Sequence, residues 1–344
     1  MSVVILGVTG QDGSYLAELL LEQGDSVHGV VRRTSQFNRS RIEHLRVAYP
    51  TRFELHYADL SDSTNLRRLL RKICPHRIYH LAGQSHVGLS FNLPESTFDE
   101  VAVSTLSLLE ICRDLEEPPR VLLIGSSEVF GDPEESPQNE NTRHRPTSPY
   151  GCAKSAALFL GGVYRQSFGL FVASAIPYNH ESIRRGMNFV TRKITNTVVR
   201  ISRSSDEILE LGNLDGTRDW GFAPEYVEGF RRILEADEPD NFVLATGVAT
   251  TVRDFASVAF ETAGIPIEFE GDGVDETGRD RQSGRVLLKV NPRFFRPADP
   301  CRLKGNASKA KSILSWEPIT IGPTARRRDR RPARRHGRDR IVAG

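Results

Sequence analysis

The sequence predicts an α/β protein, a doubly wound parallel sheet covered by helices on both faces and joined to a smaller, mostly C-terminal part that binds substrate. Three observations carry this. Short apolar runs suited to buried strands recur through the first 180 residues. Helical patterns separate most of them, and the first run passes through three spaced glycines into a helix. In chain order, VVILG (3–7) is a continuous apolar run, GVTGQDG is a turn and SYLAELLLEQG is helical. VHGVV (27–31) and FELHYADL (53–60) follow as strands, then NLRRLLRKI as a helix. IYHLAG, VLLIGSS and FVASAIP read as further strands, with VSTLSLLEICRDL a helix between the first two. Six or seven strands of this alternation make a Rossmann-type sheet. After about residue 180 the pattern loosens into mixed elements and loops, including the polar stretch GDGVDETGRDRQSG.

The first turn has a chemical reading. Glycines at a strand–helix junction let backbone N–H groups approach a pyrophosphate, and the helix N-terminus adds the positive end of its dipole. The spacing G-x-x-G-x-x-G, through Gly7, Gly10 and Gly13, is a variant associated with short-chain dehydrogenase/reductase relatives. Glycine-rich turns also serve plain packing, so the next strand decides. An NAD site wants an acid about twenty residues on, for the ribose 2′-OH. Arg32 stands there instead, beside Arg33, and suits the 2′-phosphate of NADP.

Composition is that of an ordinary globular chain, at 38% hydrophobic and 26% charged residues, and no apolar run approaches the ~20 residues of a membrane span. The chain enters a strand at once, with no signal-peptide pattern, so a cytoplasmic protein is expected. Cys74, Cys112, Cys152 and Cys301 are scattered without C-x-x-C spacing, which suggests reduced thiols and no metal. The net charge of +2 is uneven: residues 326–340 hold nine arginines against two aspartates, a local +7 that leaves −5 elsewhere. Such a block reads as a solvated, disordered tail rather than a nucleic-acid arm, because no aromatic–basic interleaving precedes it.

The catalytic candidates lie in GSSEVFG (125–131), directly after the strand VLLI, and in SPYGCAKSA (148–156). Tyr150 and Lys154 are i, i+4 and share a helix face. A lysine ammonium favours phenolate, so Lys154 is expected to lower the Tyr150 pKa and fit it as a general base. Ser126 would position the reacting oxygen. Glu128, two residues on, is a carboxylate that a plain dehydrogenase does not need, and it moves the reading from redox toward elimination.

GVTGQDGSYLAELL, RRTSQFNRSRIEHL, LAGQSHVGLSF, SPYGCAKSAA, NHESIRRGMNFVTRK, LGNLDGTRDWG and FFRPAD together resemble the GDP-mannose 4,6-dehydratases, extended short-chain dehydrogenase/reductases, over residues 3 to about 318. The resemblance implies a carbon–oxygen lyase that converts GDP-mannose to GDP-4-keto-6-deoxymannose with NADP, acting as a homo-oligomer, a tetramer built from dimers. It implies catalytic roles for Ser126, Glu128, Tyr150 and Lys154. It implies cofactor contacts from Gly7, Val8, Thr9, Gly10, Gln11, Asp12 and Gly13, and from Arg32, Arg33, Thr34 and Ser35. Asp59, Leu60, Leu81, Ala82, Gly83, Gln84 and Ser85, with Tyr150, Lys154, His180 and Arg185, complete that set. Substrate would meet Ser85, Ser126, Glu128, Asn179, Asn188, Val190 and Lys193, with Arg218 and Arg296 suited to diphosphate by their charge and fork, and Asp299 to ribose hydroxyls.

On this reading residues 1–180 form the NADP-binding domain, 181–322 mainly the nucleotide-sugar part and 323–344 the tail. The alternatives are a GDP-4-keto-6-deoxyhexose reductase or epimerase of the same fold, against which Glu128 and NHESIRRG argue, and a non-catalytic nucleotide-sugar-binding scaffold, against which the intact catalytic set argues. Several positions depart from the family pattern. Ser126 replaces a threonine but keeps the hydroxyl, and Phe130 replaces a tyrosine. Ser96 stands where the family has a cofactor-contacting tyrosine. After SWEPITIG the family continues into an amphipathic helix, whereas the Arg-rich tail has no apolar stripe.

Overall fold

A computed structural model describes residues 1–35, 38–294 and 303–322. The tail at 323–344 lies outside them, as do Arg296, Asp299 and Cys301. The first half alternates strictly: β1 (Ser2–Leu6), α1 (Gln11–Glu22), β2 (Ser26–Val31), α2 (Glu43–Ala48), β3 (Phe53–Tyr57), α3 (Ser63–Ile73) and β4 (Arg77–His80). Two short helices, α4 (Val87–Ser90) and α5 (Pro94–Phe98), lead to α6 (Ser104–Arg113), β5 (Arg120–Ile124), α7 (Pro149–Phe168) and β6 (Val172–Pro177).

From there the chain departs through β7 (Asn179–Glu181), α8 (Val190–Ser202), β8 (Leu209–Leu211) and β9 (Thr217–Phe222). It returns through α9 (Ala223–Glu235) and β10 (Asn241–Leu244), then ends in β11 (Ala249–Thr251), α10 (Val252–Thr262), β12 (Ile267–Glu270), β13 (Thr277–Asp280), β14 (Val286–Val290) and α11 (Ser308–Leu314).

Seven strands form one parallel sheet in the order β10-β6-β5-β4-β1-β2-β3, as the alternation predicts. The sequence direction reverses between β1 and β4, so their carboxyl ends open a crevice there. Both faces are sealed. Val3, Ile5, Leu16 and Leu20 belong to an apolar cluster with Phe230 of α9, while Val4, Leu6, Leu66 and Leu108 belong to a second on the opposite face. Helix α9 packs on α1, and β10 pairs with β6, so segments beyond residue 180 complete the central layer.

Two smaller sheets stand beside it, β11-β9-β7 and β12-β13-β14-β8. The second shares a core with α8 and α10 through Ile194, Leu288 and Phe260. The polar stretch GDGVDETGRDRQSG departs from its expected loop: its Thr277–Asp280 is a strand paired on both sides. Its polar composition hid this, but backbone pairing with both neighbours holds it. Gly278 permits the close packing, since a Cβ there would lie 2.6 Å from Ile267 Cδ1.

Candidate active site

The crevice is a cleft of about 860 Å³ whose floor is the carboxyl edge of the sheet. At its centre β1 turns into α1. Gly7 has φ +87°, and a Cβ on it would lie 2.8 Å from Ala82 N at the end of β4. A Cβ on Gly13 would fall 2.3 Å from Gly7 O. Both positions therefore require glycine, and the backbone presses close to β4. Helix α1 begins after Gly10 with no side-chain cap, so its first turn turns toward the cleft without a competing acceptor from its own cap residue. This turn, with Gly10, Gln11 and Asp12 on the cleft wall, fits a dinucleotide pyrophosphate. Val8 is instead fully buried in the core, and Thr9 accepts a hydrogen bond from Arg41 Nη1 at 3.1 Å through its carbonyl.

Leu81 to Ser85 line the wall beyond β4, where Gln84 Nε2 donates to His86 O at 2.9 Å. Arg32, Arg33, Thr34 and Ser35 leave the end of β2 exposed, outside the cleft wall proper. Arg32 meets Glu100 at 3.8 Å. Asp59, past the end of β3, accepts from both the N–H and the hydroxyl of Ser61, bonds that hold its carboxyl below the usual range with help from Arg32. Leu60 packs against the core.

The catalytic candidates converge because of two local structures. After β5, Ser126 caps a single 3₁₀ turn (Ser127–Val129), its Oγ accepting from Glu128 N–H at 3.3 Å. Helix α7 starts at Pro149, with Ser148 Oγ accepting from Gly151 N–H at 3.1 Å, so Tyr150 and Lys154 stand one turn apart. Gly151 lets the two segments touch, for a Cβ there would lie 2.6 Å from Glu128 O. Ser126, Glu128, Tyr150 and Lys154 all line the cleft.

Their electrostatics correct one expectation. The Tyr150 hydroxyl is not lowered by Lys154: burial pushes its pKa well up, the hydrogen bond with Ser126 opposes this, and the Glu128 charge adds to the rise. Lys154 is itself buried, which pulls its ammonium down to about 8, and its Nζ donates to Ile124 O at 2.6 Å. Desolvation thus outweighs the attraction that helical spacing alone predicts.

The opposite wall comes from NHESIRRGMNFVTRK. His180 is buried and charge-paired with Asp12, and Arg185 lies over the Phe189 ring at 3.7 Å from its centroid. Asn179, Asn188, Val190 and Lys193 line the cleft, as does Arg218, which donates to Thr217 O at 2.8 Å. Lys193 Nζ sits 3.6 Å from the Phe294 ring centroid, and burial lowers its pKa. Two arginines on this wall escaped notice in the sequence. Arg184 reaches back to α1, donating to Ser14 Oγ at 3.1 Å and Glu18 Oε1 at 2.5 Å, and Arg41 also lines the cleft. The only signal was their place inside segments already singled out. Of the departures, Phe130 is fully buried against His144 and Tyr178, whereas Ser96 is exposed on α5 and off the cleft wall.

A 3-2-1-4-5-6 sheet with a glycine turn at its switch point and a serine, tyrosine and lysine over the adjoining strand end defines an enzyme of the extended short-chain dehydrogenase/reductase class. The family model described as GDP-mannose 4,6 dehydratase matches residues 4–322. The chain belongs to that family. It is 48% identical to a GDP-mannose 4,6-dehydratase of Sinorhizobium fredii, covering 92% of each chain. With GDP-mannose 4,6 dehydratase 2 of Caenorhabditis elegans it shares 49% identity, covering 92% of this chain and 85% of that one. The human GDP-mannose 4,6 dehydratase is 44% identical, with 92% and 86% covered. Among solved structures, a dTDP-glucose 4,6-dehydratase from Streptomyces venezuelae with NAD bound has the same fold, with a TM-score of 0.78 at 20% identity over 92% of both chains. A Thermus thermophilus UDP-glucose 4-epimerase with NAD gives 0.75 at 23% identity, covering 94% of this chain and 96% of that one.

Proposed function

We propose that this enzyme removes water from GDP-mannose to form GDP-4-keto-6-deoxymannose, with NADP as a cofactor restored in each turnover. The observation that carries the reading is Glu128, a carboxylate only 8% exposed, in the same turn as Ser126 and within electrostatic reach of Tyr150. Dehydrogenation alone has no use for it. The relatives' names supply the substrate.

The turn from Gly7 to Gly13 would hold the cofactor pyrophosphate, and Arg32 and Arg33, standing where an NAD site keeps an acid, favour the 2′-phosphate of NADP. Bound there, the nicotinamide supplies reversible hydride acceptance. Tyr150 takes the proton of the sugar C4 hydroxyl while Ser126 holds that oxygen by a hydrogen bond. Burial keeps the Tyr150 phenol protonated in the chain alone, with Arg185 the cation that opposes the rise, and Lys154, one helical turn on, would add positive charge that favours the ionised form once substrate and cofactor are bound. The C4 ketone then acidifies C5. Glu128 would take the C5 proton and the C6 hydroxyl would leave as water with a proton given back by the site. Hydride return to C6 with reprotonation at C5 would then complete the 6-deoxy sugar, so the two protons taken by Tyr150 and Glu128 are the two given back. Asn179, Asn188, Val190, Lys193 and Arg218, with Arg296 and Asp299, would bind the GDP moiety.

The chain would act as a homo-oligomer. Helices α6 and α7 pack together and leave Leu106, Phe159 and Val163 exposed, an apolar surface of the kind subunits cover. No described helix is long and apolar enough to cross a membrane, and Cys74, Cys112 and Cys152 are unpaired, which supports a reducing, cytoplasmic setting. Incubation with GDP-mannose and NADP+ followed by mass measurement tests the activity. Loss of one water from the nucleotide sugar supports it, and an unchanged mass removes it.

A further inference from the structure

We propose that His28, Glu54 and His56 form a divalent-cation site of the zinc class that clasps β2 to the edge strand β3 of the central sheet. His28 on β2 lies directly opposite Glu54 on β3 in the parallel register, and His56, two residues along β3, projects from the same face. His28 Nδ1 is 3.0 Å from His56 Nε2. Glu54 Oε2 is 3.7 Å from the first nitrogen and 3.9 Å from the second. A point equidistant from these three atoms lies about 2.1 Å from each, the bond length of zinc to imidazole nitrogen and carboxylate oxygen. That point lies in the plane of the three atoms, so small side-chain rotations that part the hydrogen-bonded His28 and His56 nitrogens would bring the donors into a tetrahedral arrangement.

The chemistry of the donors agrees with the geometry. Two imidazoles and one carboxylate suit zinc and its borderline neighbours rather than magnesium or calcium. Burial lowers both histidine pKa values, toward the neutral form whose lone pair a metal needs. The Glu54 side chain is 63% exposed, which leaves a fourth position open to water. Lys72 of α3 is the cation bearing on His56. Its side chain is exposed, and its repulsion would weaken metal binding.

The site lies off the cleft wall and has no part in the proposed reaction. Its effect is on the sheet: β3 is the edge strand, and a metal across β2 and β3 would anchor it a few residues before Arg32 and Asp59. The test uses untagged full-length protein stripped with a chelator and titrated with zinc chloride, read by calorimetry and by melting temperature. The expected result is one zinc per chain and a melting temperature that rises with zinc. In Glu54→Gln and in His56→Gln the affinity should fall by about tenfold or more. Glu54 is exposed, so its variant keeps the fold. Absence of a zinc-dependent rise in the wild-type chain, or uptake equal to wild type in both variants, overturns the proposal.

Discussion

His180 Nε2 lies 3.0 Å from Asp12 Oδ2, while its Nδ1 lies 2.7 Å from the carbonyl of Tyr178. Both ring nitrogens face acceptors, an arrangement that favours the doubly protonated imidazole. It stacks on Tyr226 with centroids 4.6 Å apart, and its own carbonyl accepts from Gln11 Nε2 at 3.0 Å. The pair ties the strand after β6 to the first turn of α1. Burial opposes both charges, but for each the partner wins: Asp12 is held below its usual range and His180 above it.

Removing one partner should therefore cost more than an exposed pair could. His180→Ala takes the nearest cation from Asp12, which is only half-buried on the cleft wall and keeps the Arg185 charge, and is expected to lose about 1.5–3 kcal/mol in denaturant unfolding, while a double change with Asp12→Asn loses less. A loss within 0.5 kcal/mol or so would show the pair to be inert. The pH dependence has two limbs. His180 has a raised folded pKa, so its contribution is complete below the unfolded value of 6.5 and is lost as pH rises through the folded one. Asp12 has a lowered folded pKa, so its contribution is present above 3.8 and is lost as pH falls through the folded value.

Lys154 gives a prediction for turnover. With its ammonium at about 8 in the free chain, kcat/KM should decline as pH rises through that value, because the charge that favours the Tyr150 phenolate is then lost. Lys154→Arg should move the decline to higher pH. A profile that stays flat well past pH 8 would remove this role.

Glu128→Gln keeps the shape of the buried turn and removes the carboxylate proposed as the base. Dehydration should fall by about a hundredfold or more, with NADP binding, measured by quenching of protein fluorescence, unchanged. Near-normal turnover by this variant would end the elimination role assigned to Glu128.

Arg32→Ala should weaken NADP binding by on the order of ten- to hundredfold, or about 1.5–3 kcal/mol, and NAD binding far less. The arginine is exposed and meets Glu100 only at 3.8 Å, a contact that a phosphate can displace. Equal losses for both cofactors would assign Arg32 another task.

Subunit assembly has two surfaces to separate. Phe159→Glu, on the exposed apolar face of α7, should lower the mass in light scattering toward the monomer, whereas Arg33→Ala should stop a tetramer at the dimer if the loop after β2 makes the second contact. NADP should then favour the larger assembly of the wild-type chain. One mass shared by the wild type and both variants, with and without NADP, would defeat both assignments.

The sequence by itself determined the elements of the central sheet and the identity of the chemical groups. VVILG reads as a buried parallel strand because both its faces are covered, and glycine is needed locally by the positive φ at Gly7 and by the approach of Gly13 to the Gly7 carbonyl, whereas the press of Gly7 on Ala82 is tertiary. Tyr150 and Lys154 share a face because a helix repeats every turn. Tertiary structure alone decided what lies between segments far apart in the chain. That NFVL at 241–244 would be the seventh strand, or that TGRD would pair inside a polar stretch, depends on which edges were left open, and no local period records that. The meeting of Asp12 with His180, the return of Arg184 to α1 and the approach of His28 to His56 depend likewise on register and packing. The Tyr150 pKa makes the distinction sharpest: spacing names its neighbour Lys154, but burial, which exists only once the whole cleft has closed around it, sets the sign of the shift.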